Sequence, residues 1–386
     1  MSIASPTFSS RAHVPCLDGL RGFAAVWVLL SHVQILTGMA AVPLLSWGGL
    51  AVDLFMMLSG FLMAHHYILR QDREPWRKPR TVVRFWTRRF FRIAPLYYLL
   101  LAVALLFGPA LGGFRDIIAE AWPHTATEPS RYLDQSLTNA LVHMTFLFGF
   151  SPDYSFRTAL PDWSIGLEMQ FYLAFPFLML LMDRMGAIRA AALLSITCFL
   201  AIFAFPLYFQ AYPMPAFLPL RLHIFLAGML IAFGRSEGRM MQAALASIAI
   251  IALSSAVFGE RLAVSQAAIA IALCYILDEA TLPGSCRFAS VLGLIRRALS
   301  GRVGAFLGDT SYAAYLLHLL ILLPVAGILV QMPAYLALPS PARFLIVAAV
   351  VCPLTYGLAF WLYRLVEQTG IRMGRRLSVP SVRALA

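Results

Sequence analysis

Apolar runs of about twenty residues alternate along this chain with short polar connections rich in Arg. They place ten candidate membrane spans at roughly 17–37, 45–69, 90–110, 160–182, 190–209, 218–234, 240–257, 262–278, 305–330 and 342–363. A run of about that length is what an α-helix needs to cross the hydrocarbon of a bilayer. A transmembrane β-barrel would instead show alternating segments of about ten residues, and none occur. Lipid offers no partner to backbone N–H and C=O groups, so each run must satisfy its own. The pattern therefore predicts an all-α, polytopic helical membrane protein of about ten spans. One further apolar patch, Leu141–Phe150, is too short to cross and is expected to be re-entrant or interfacial.

Composition agrees, with 60% hydrophobic and only 12% charged residues, whereas soluble domains are about 25% charged. The net charge of +12 raises nucleic acid as a partner, but the placement of the charges assigns them to topology. With the N-terminus inside, 23 of the 30 Lys and Arg fall in inner segments, nine of them between Arg70 and Arg92. The positive-inside rule then puts both termini in the cytoplasm. The expected organisation is a cytoplasmic segment 1–16, a membrane domain 17–367 with an outer loop at about 111–160, and a basic cytoplasmic tail 368–386 that serves as a topology anchor. The first run contains Arg and His and lacks a clear cleavage site, so it reads as a retained helix and not a signal peptide. Cys16, Cys198, Cys274, Cys286 and Cys352 have no CxxC spacing and read as buried thiols.

Several runs carry residues that lipid disfavours. LDGLRGFAAVWVLLSHVQILT, 17–37, holds Arg21 and His32 eleven residues apart, hence within roughly 20° of one helix face and about 16 Å along it. Ionisable groups in a span cost a few kcal/mol and usually serve function. RFWTRRFFRIAPLYY, 84–98, puts Arg89 and Arg92 on one helical side, with Arg88 in the next row. These are either a snorkelling flank or a clamp whose guanidinium forks match phosphate oxygens. PDWSIGLEMQFYLAF, 161–175, places Glu168 inside the fourth span, at a depth similar to that of His32. If the helices adjoin, the two make either an acid/base pair or a polar tie between helices. Secondary candidates are Asp53 in GGLAVDLFMMLSGF, Arg221 in RLHIFLAG, and Tyr315 and His318 in GDTSYAAYLLHLLIL. No Walker A loop, GxGxxG, HExxH or GxSxG occurs, against ATP hydrolysis, dinucleotide binding, a zincin or an α/β-hydrolase.

Taken in order, these motifs resemble the membrane-bound acyltransferase family 3, the bacterial O-acetyltransferases of surface polysaccharides and Nod factors. LDGLRGFAAVWVLLSH is similar to its Arg-x10-His signature, RRFFRIAPLYY to its Arg-x-x-Arg element, and DWSIGLEMQFYL to its Trp-Ser…Glu…Phe-Tyr element. The matches cover about residues 15–367. The resemblance implies acyl transfer from cytoplasmic acetyl-CoA to a hydroxyl of a surface or lipid-linked glycan, in the bacterial inner membrane. It assigns His32 and Glu168 to catalysis and Arg21, Arg89 and Arg92 to the donor's phosphates, with no metal or prosthetic group and no nucleic acid partner. Two departures stand out. The family's closing Glu-x-Pro is Glu367-Gln368-Thr369 here, and the SGNH-type domain of larger relatives is not expected. The alternative reading, a proton-coupled transporter, would use the same intramembrane charges.

Overall fold

The computed structural model describes residues 14–277 and 287–378, and all its regular structure among them is helical. Most of the segment 1–16, Cys286 and the end of the tail lie outside the described residues. Fourteen helices are labelled in chain order: α1 Pro15–Leu36, α2 Gly48–Arg70, α3 Pro79–Leu106, α4 Gly108–Ala121, α5 Leu137–Met144, α6 Trp163–Met185 and α7 Ala187–Ala204. They continue as α8 Leu222–Glu237, α9 Met240–Phe258, α10 Glu260–Leu277, α11 Arg287–Leu299, α12 Arg302–Val330, α13 Ser340–Leu362 and α14 Gln368–Ser378. Among the described residues, eight helices are long and apolar enough to cross a membrane, α13 running on into α14 as one of them. The other two expected spans are also helices, α8 of 16 residues and α10 of 18. This is a multi-pass membrane protein.

Proline opens α1, α3 and α4, where its missing N–H costs nothing. Pro95, Pro176, Pro324 and Pro353 lie inside helices, which neighbouring helices in a bundle tolerate. Gly186, with φ 86°, ends α6. The centre of the bundle is α1, α2, α8 and α12, while α7, α9 and α13 bury little and present Leu, Ile and Phe side chains outward.

Glycine sets the central contacts. A Cβ on Gly22 would stand 2.5 Å from the Leu307 carbonyl carbon, and one on Gly308 would stand 2.5 Å from Asp18 O. The backbones of α1 and α12 therefore touch, as small residues permit in lipid. Gly22 meets Gly308 and His32 meets His318 at one constant offset of 286 residues, so the two helices run in the same direction. Gly60 of α2 and Gly228 of α8 pack equally closely, a Cβ on each meeting a backbone oxygen of the other helix within 2.1 Å.

The expected outer loop, 111–160, is largely short helices tied to the bundle. The patch Leu141–Phe150 is the end of α5 and a 3-10 turn, Leu147–Phe150, not a span. Its exposed face is Leu141, Met144, Leu147 and Phe150, and beneath it His143 stacks on Phe148 at 4.5 Å.

Candidate active site

At the Arg-rich end, α1, α2, α3, α6 and α14 surround a cavity of about 640 Å³ whose walls include Arg21, Arg88, Arg89, Arg92, Glu168 and Arg375. That is the size of a small-molecule site. Arg89 and Arg92 reach it from one side of α3, and Arg21 reaches it from α1. Arg89 lies over the rings of Tyr172 at 5.5 Å and Phe85 at 5.7 Å, and its Nε is buried without a hydrogen-bond partner. Such stacking restrains a guanidinium while leaving its N–H fork available. Arg88, the third member of the sequence cluster, donates to both Glu74 oxygens at 3.1 and 3.2 Å.

Glu168 sits in the same wall. Its Oε1 accepts from Ser59 at 3.0 Å and from the Tyr172 hydroxyl, which tie α6 to α2 and to its own next turn. Beyond it the cavity narrows to a slot of about 40 Å³, which shares Arg21, Ser59 and Glu168 with the cavity and ends at Ser164, Tyr312 and Tyr315. Tyr315 donates to Pro161 O at 2.9 Å and accepts from Ser164 Oγ at 2.7 Å.

His32 is placed elsewhere from Glu168. Its Nδ1 is 2.9 Å from Val28 O and 3.3 Å from His318 Nε2, the two rings lying 4.9 Å apart. His318 Nδ1 is 2.6 Å from Tyr315 O. A carbonyl only accepts, so each Nδ1 carries its proton. His32 Nδ1–H is then shared between Val28 O and the lone pair of His318 Nε2, which leaves His32 Nε2 with an open lone pair. This is the tautomer of a base, and two contacts on the opposite nitrogen orient the ring. The slot and the histidine pair adjoin through Tyr315, whose ring is 6.0 Å from that of His318.

The structure thus brings Arg21, Arg89, Arg92 and Glu168 together and joins His32 to His318, with Tyr315 between the two groups. It does not join His32 to Glu168. Asp53 and Arg221 form a separate buried ion pair, Nε to Oδ1 3.7 Å, with Gln266 donating to Asp53 at 2.7 Å. That network ties α2 and α10 to the start of α8 away from the slot. The motif analysis missed Ser59 and Tyr172 in the cavity wall, Tyr312 in the slot and Glu367 beside Arg92. Ser59 and Tyr172 lie inside the quoted motifs, but only the helix packing shows that they bond Glu168. Among the described residues no group of His, Cys, Asp and Glu is arranged to hold a metal ion.

Residues 14–364 match the family of acyltransferase family 3 domains, described as an acyltransferase domain, and the chain belongs to that family. It is a membrane acyltransferase. The chain is 29% identical over 338 residues to the acyltransferase MdmB of Streptomyces mycarofaciens, covering 80% of this chain and 79% of that protein. It is also 29% identical over 181 residues to the peptidoglycan O-acetyltransferase OatA of Listeria monocytogenes, covering 44% of this chain and 25% of that protein. A match to the O-acetyltransferase OatA of Staphylococcus aureus has the same identity over 178 residues and likewise spans a quarter of that protein's length. No solved structure matches the chain.

Proposed function

We propose that this protein is an O-acetyltransferase of the bacterial inner membrane that moves an acetyl group from cytoplasmic acetyl-CoA to a hydroxyl of a surface or exported glycan. The observation that carries this reading is the union of an Arg-walled cavity with a slot that runs past Glu168 to Tyr315, beside an oriented histidine pair. Membership of the family supports acyl transfer, and the names of the OatA relatives support acetyl as the group and a cell-wall glycan as the acceptor class. Arg21, Arg89 and Arg92 would bind the phosphates of the donor, and the extended pantetheine arm would lie along the slot. Guanidinium is suited to this because its planar fork pairs with two phosphate oxygens at once.

In the transfer, His32 Nε2 takes the proton of the acceptor hydroxyl as that oxygen bonds to the acetyl carbon. The carbon–sulfur bond of the thioester breaks, and the proton passes to the departing thiolate to give free CoA thiol. Val28 O keeps the His32 ring in the basic tautomer with His318 behind it, and Glu168 fixes the wall between slot and cavity through Ser59 and Tyr172. General-base catalysis of this kind contributes about 10²–10⁴ in rate.

The test supplies radiolabelled acetyl-CoA to purified wild-type and His32→Ala proteins, with membranes carrying surface glycans as acceptor. Label in glycan with wild type alone supports the reading. Wild-type protein that binds no CoA ends it and favours the transporter.

A further inference from the structure

The carboxylate that the sequence left without a motif, Glu367, is carried by an unusual turn. After α13 the chain passes through a π-helical segment, Tyr363–Glu367, before α14 begins. A π turn adds one residue to the helical ladder and so rotates the residues after it by about 100°. Glu367 points inward as a result, 1% exposed, between exposed Leu365 and exposed Gln368.

The next residues lock this segment to α3. A Cβ on Gly370 would stand 2.4 Å from Phe91 O and 2.9 Å from Pro95 Cγ, and one on Gly374 would stand 2.8 Å from Phe91 Cβ. Those contacts bracket Arg92 on its own helix. The expected tail is therefore more than a topology anchor: α14 packs on the arginine helix, and its Ile371 and Arg375 line the cavity.

Glu367 Oε1 lies 3.8 Å from Arg92 Nη2, and Oε2 is buried with no hydrogen-bond partner. A carboxylate buried this deeply needs a cation beside it. At 3.8 Å the pair is electrostatic and not hydrogen-bonded, so it does not consume the five N–H donors of the guanidinium. Arg92 itself is 32% exposed and lines the cavity. One side of the guanidinium thus faces the Glu367 carboxyl group, and the rest faces the space where an anion would sit.

We infer that Glu367 is a positioning residue that holds Arg92 toward the cavity, so that the phosphates of an acyl-carrier donor complete a geometry already set. This rests on the donor reading above. It makes Glu367 specific to donor binding, with no part in proton transfer.

The test measures equilibrium binding of CoA to the purified full-length protein as wild type, Glu367→Gln, Glu367→Asp, Arg92→Ala and the Glu367→Gln/Arg92→Ala double variant. Thermal unfolding and the KM and kcat of acetyl transfer are measured alongside. Glu367→Gln is expected to weaken CoA binding and raise donor KM about tenfold, the usual loss for one charge-assisted contact, with kcat at saturating donor within about twofold. Glu367→Asp, which keeps the charge one methylene further back, is expected to fall between and covers the case in which the Gln variant does not fold. In the Arg92→Ala background Glu367→Gln is expected to change binding less than about twofold, because the double-mutant cycle removes the partner through which it acts. Wild-type affinity in the folded Gln and Asp variants, or an undiminished penalty in the Arg92→Ala background, overturns the inference while the donor reading stands. Absence of CoA binding by wild type overturns both.

Discussion

Around Arg21 the protein gathers charge in the open: Arg21, Arg89, Arg92 and Glu168 border a cavity of about 640 Å³, where Arg89 stacks on Tyr172 at 5.5 Å and Arg92 meets Glu367 at 3.8 Å. Around His32, eleven residues along the same helix, it gathers uncharged rings held to backbone carbonyls at 2.6 and 2.9 Å. Under the proposed function the contrast reflects two different tasks. Recognition of a polyanion needs several cations with unused donors and room for the ligand. Proton transfer needs one nitrogen with a defined lone pair, and backbone acceptors define it because they cannot donate in return. A single helix couples the two because its rise sets their separation, and Gly22 against Gly308 fixes the partner helix at the same register.

The sharpest way to break that division is at His32. His32→Ala is expected to lower the acetyl-transfer rate at least about a hundredfold, the loss expected for a general base, while CoA affinity stays within about twofold. Single-turnover transfer and equilibrium binding on the same preparation decide it. Equal losses in both would show that the two regions are one site.

The arginines should give the reverse pattern. Lysine keeps the charge and loses the fork, so Arg89→Lys or Arg92→Lys is expected to raise donor KM and CoA Kd roughly ten- to hundredfold, from about 1.5–3 kcal/mol per charged hydrogen bond. The maximal rate at saturating donor should change far less. Unchanged Kd in both lysine variants would return the arginines to a topological role.

Much of this was legible along the chain. Periodicity placed the long helices, and helical spacing alone put Arg89 beside Arg92 on α3. His318 as the partner of His32 was not legible, because the pairing spans 286 residues and depends on which helices touch. A faint signal existed: Gly22 precedes His32 by ten residues, as Gly308 precedes His318. Glu168 was expected at the depth of His32, whereas α6 places it beside Ser59 in the cavity that Arg21 borders. Glu367 was hidden by the π turn, since its inward direction cannot be counted off a regular helix.

A smaller effect is expected at His318. It touches only the back of the His32 ring, so His318→Asn removes one neutral hydrogen bond, worth about 0.5–1.5 kcal/mol, and kcat should fall about two- to tenfold. Donor KM should not move. Loss as large as that of His32→Ala would mean that the second imidazole takes the proton itself.

The smallest expected effect separates the two regions most cleanly, because it is a shift that should not occur. Glu168→Gln removes a carboxylate that contacts Ser59 and Tyr172 but neither histidine. Activity should fall, since the wall between cavity and slot loses its charge and one strong acceptor. A carboxylate paired to an imidazole moves its titration by about 1–3 units, whereas one that only shapes the donor wall leaves it in place. The midpoint of the kcat–pH profile in Glu168→Gln is therefore expected within well under one unit of the wild-type value, measured at saturating donor so that binding does not contribute. A midpoint displaced by a unit or more would place Glu168 with His32 during turnover and erase the distinction between the charged cavity and the uncharged pair.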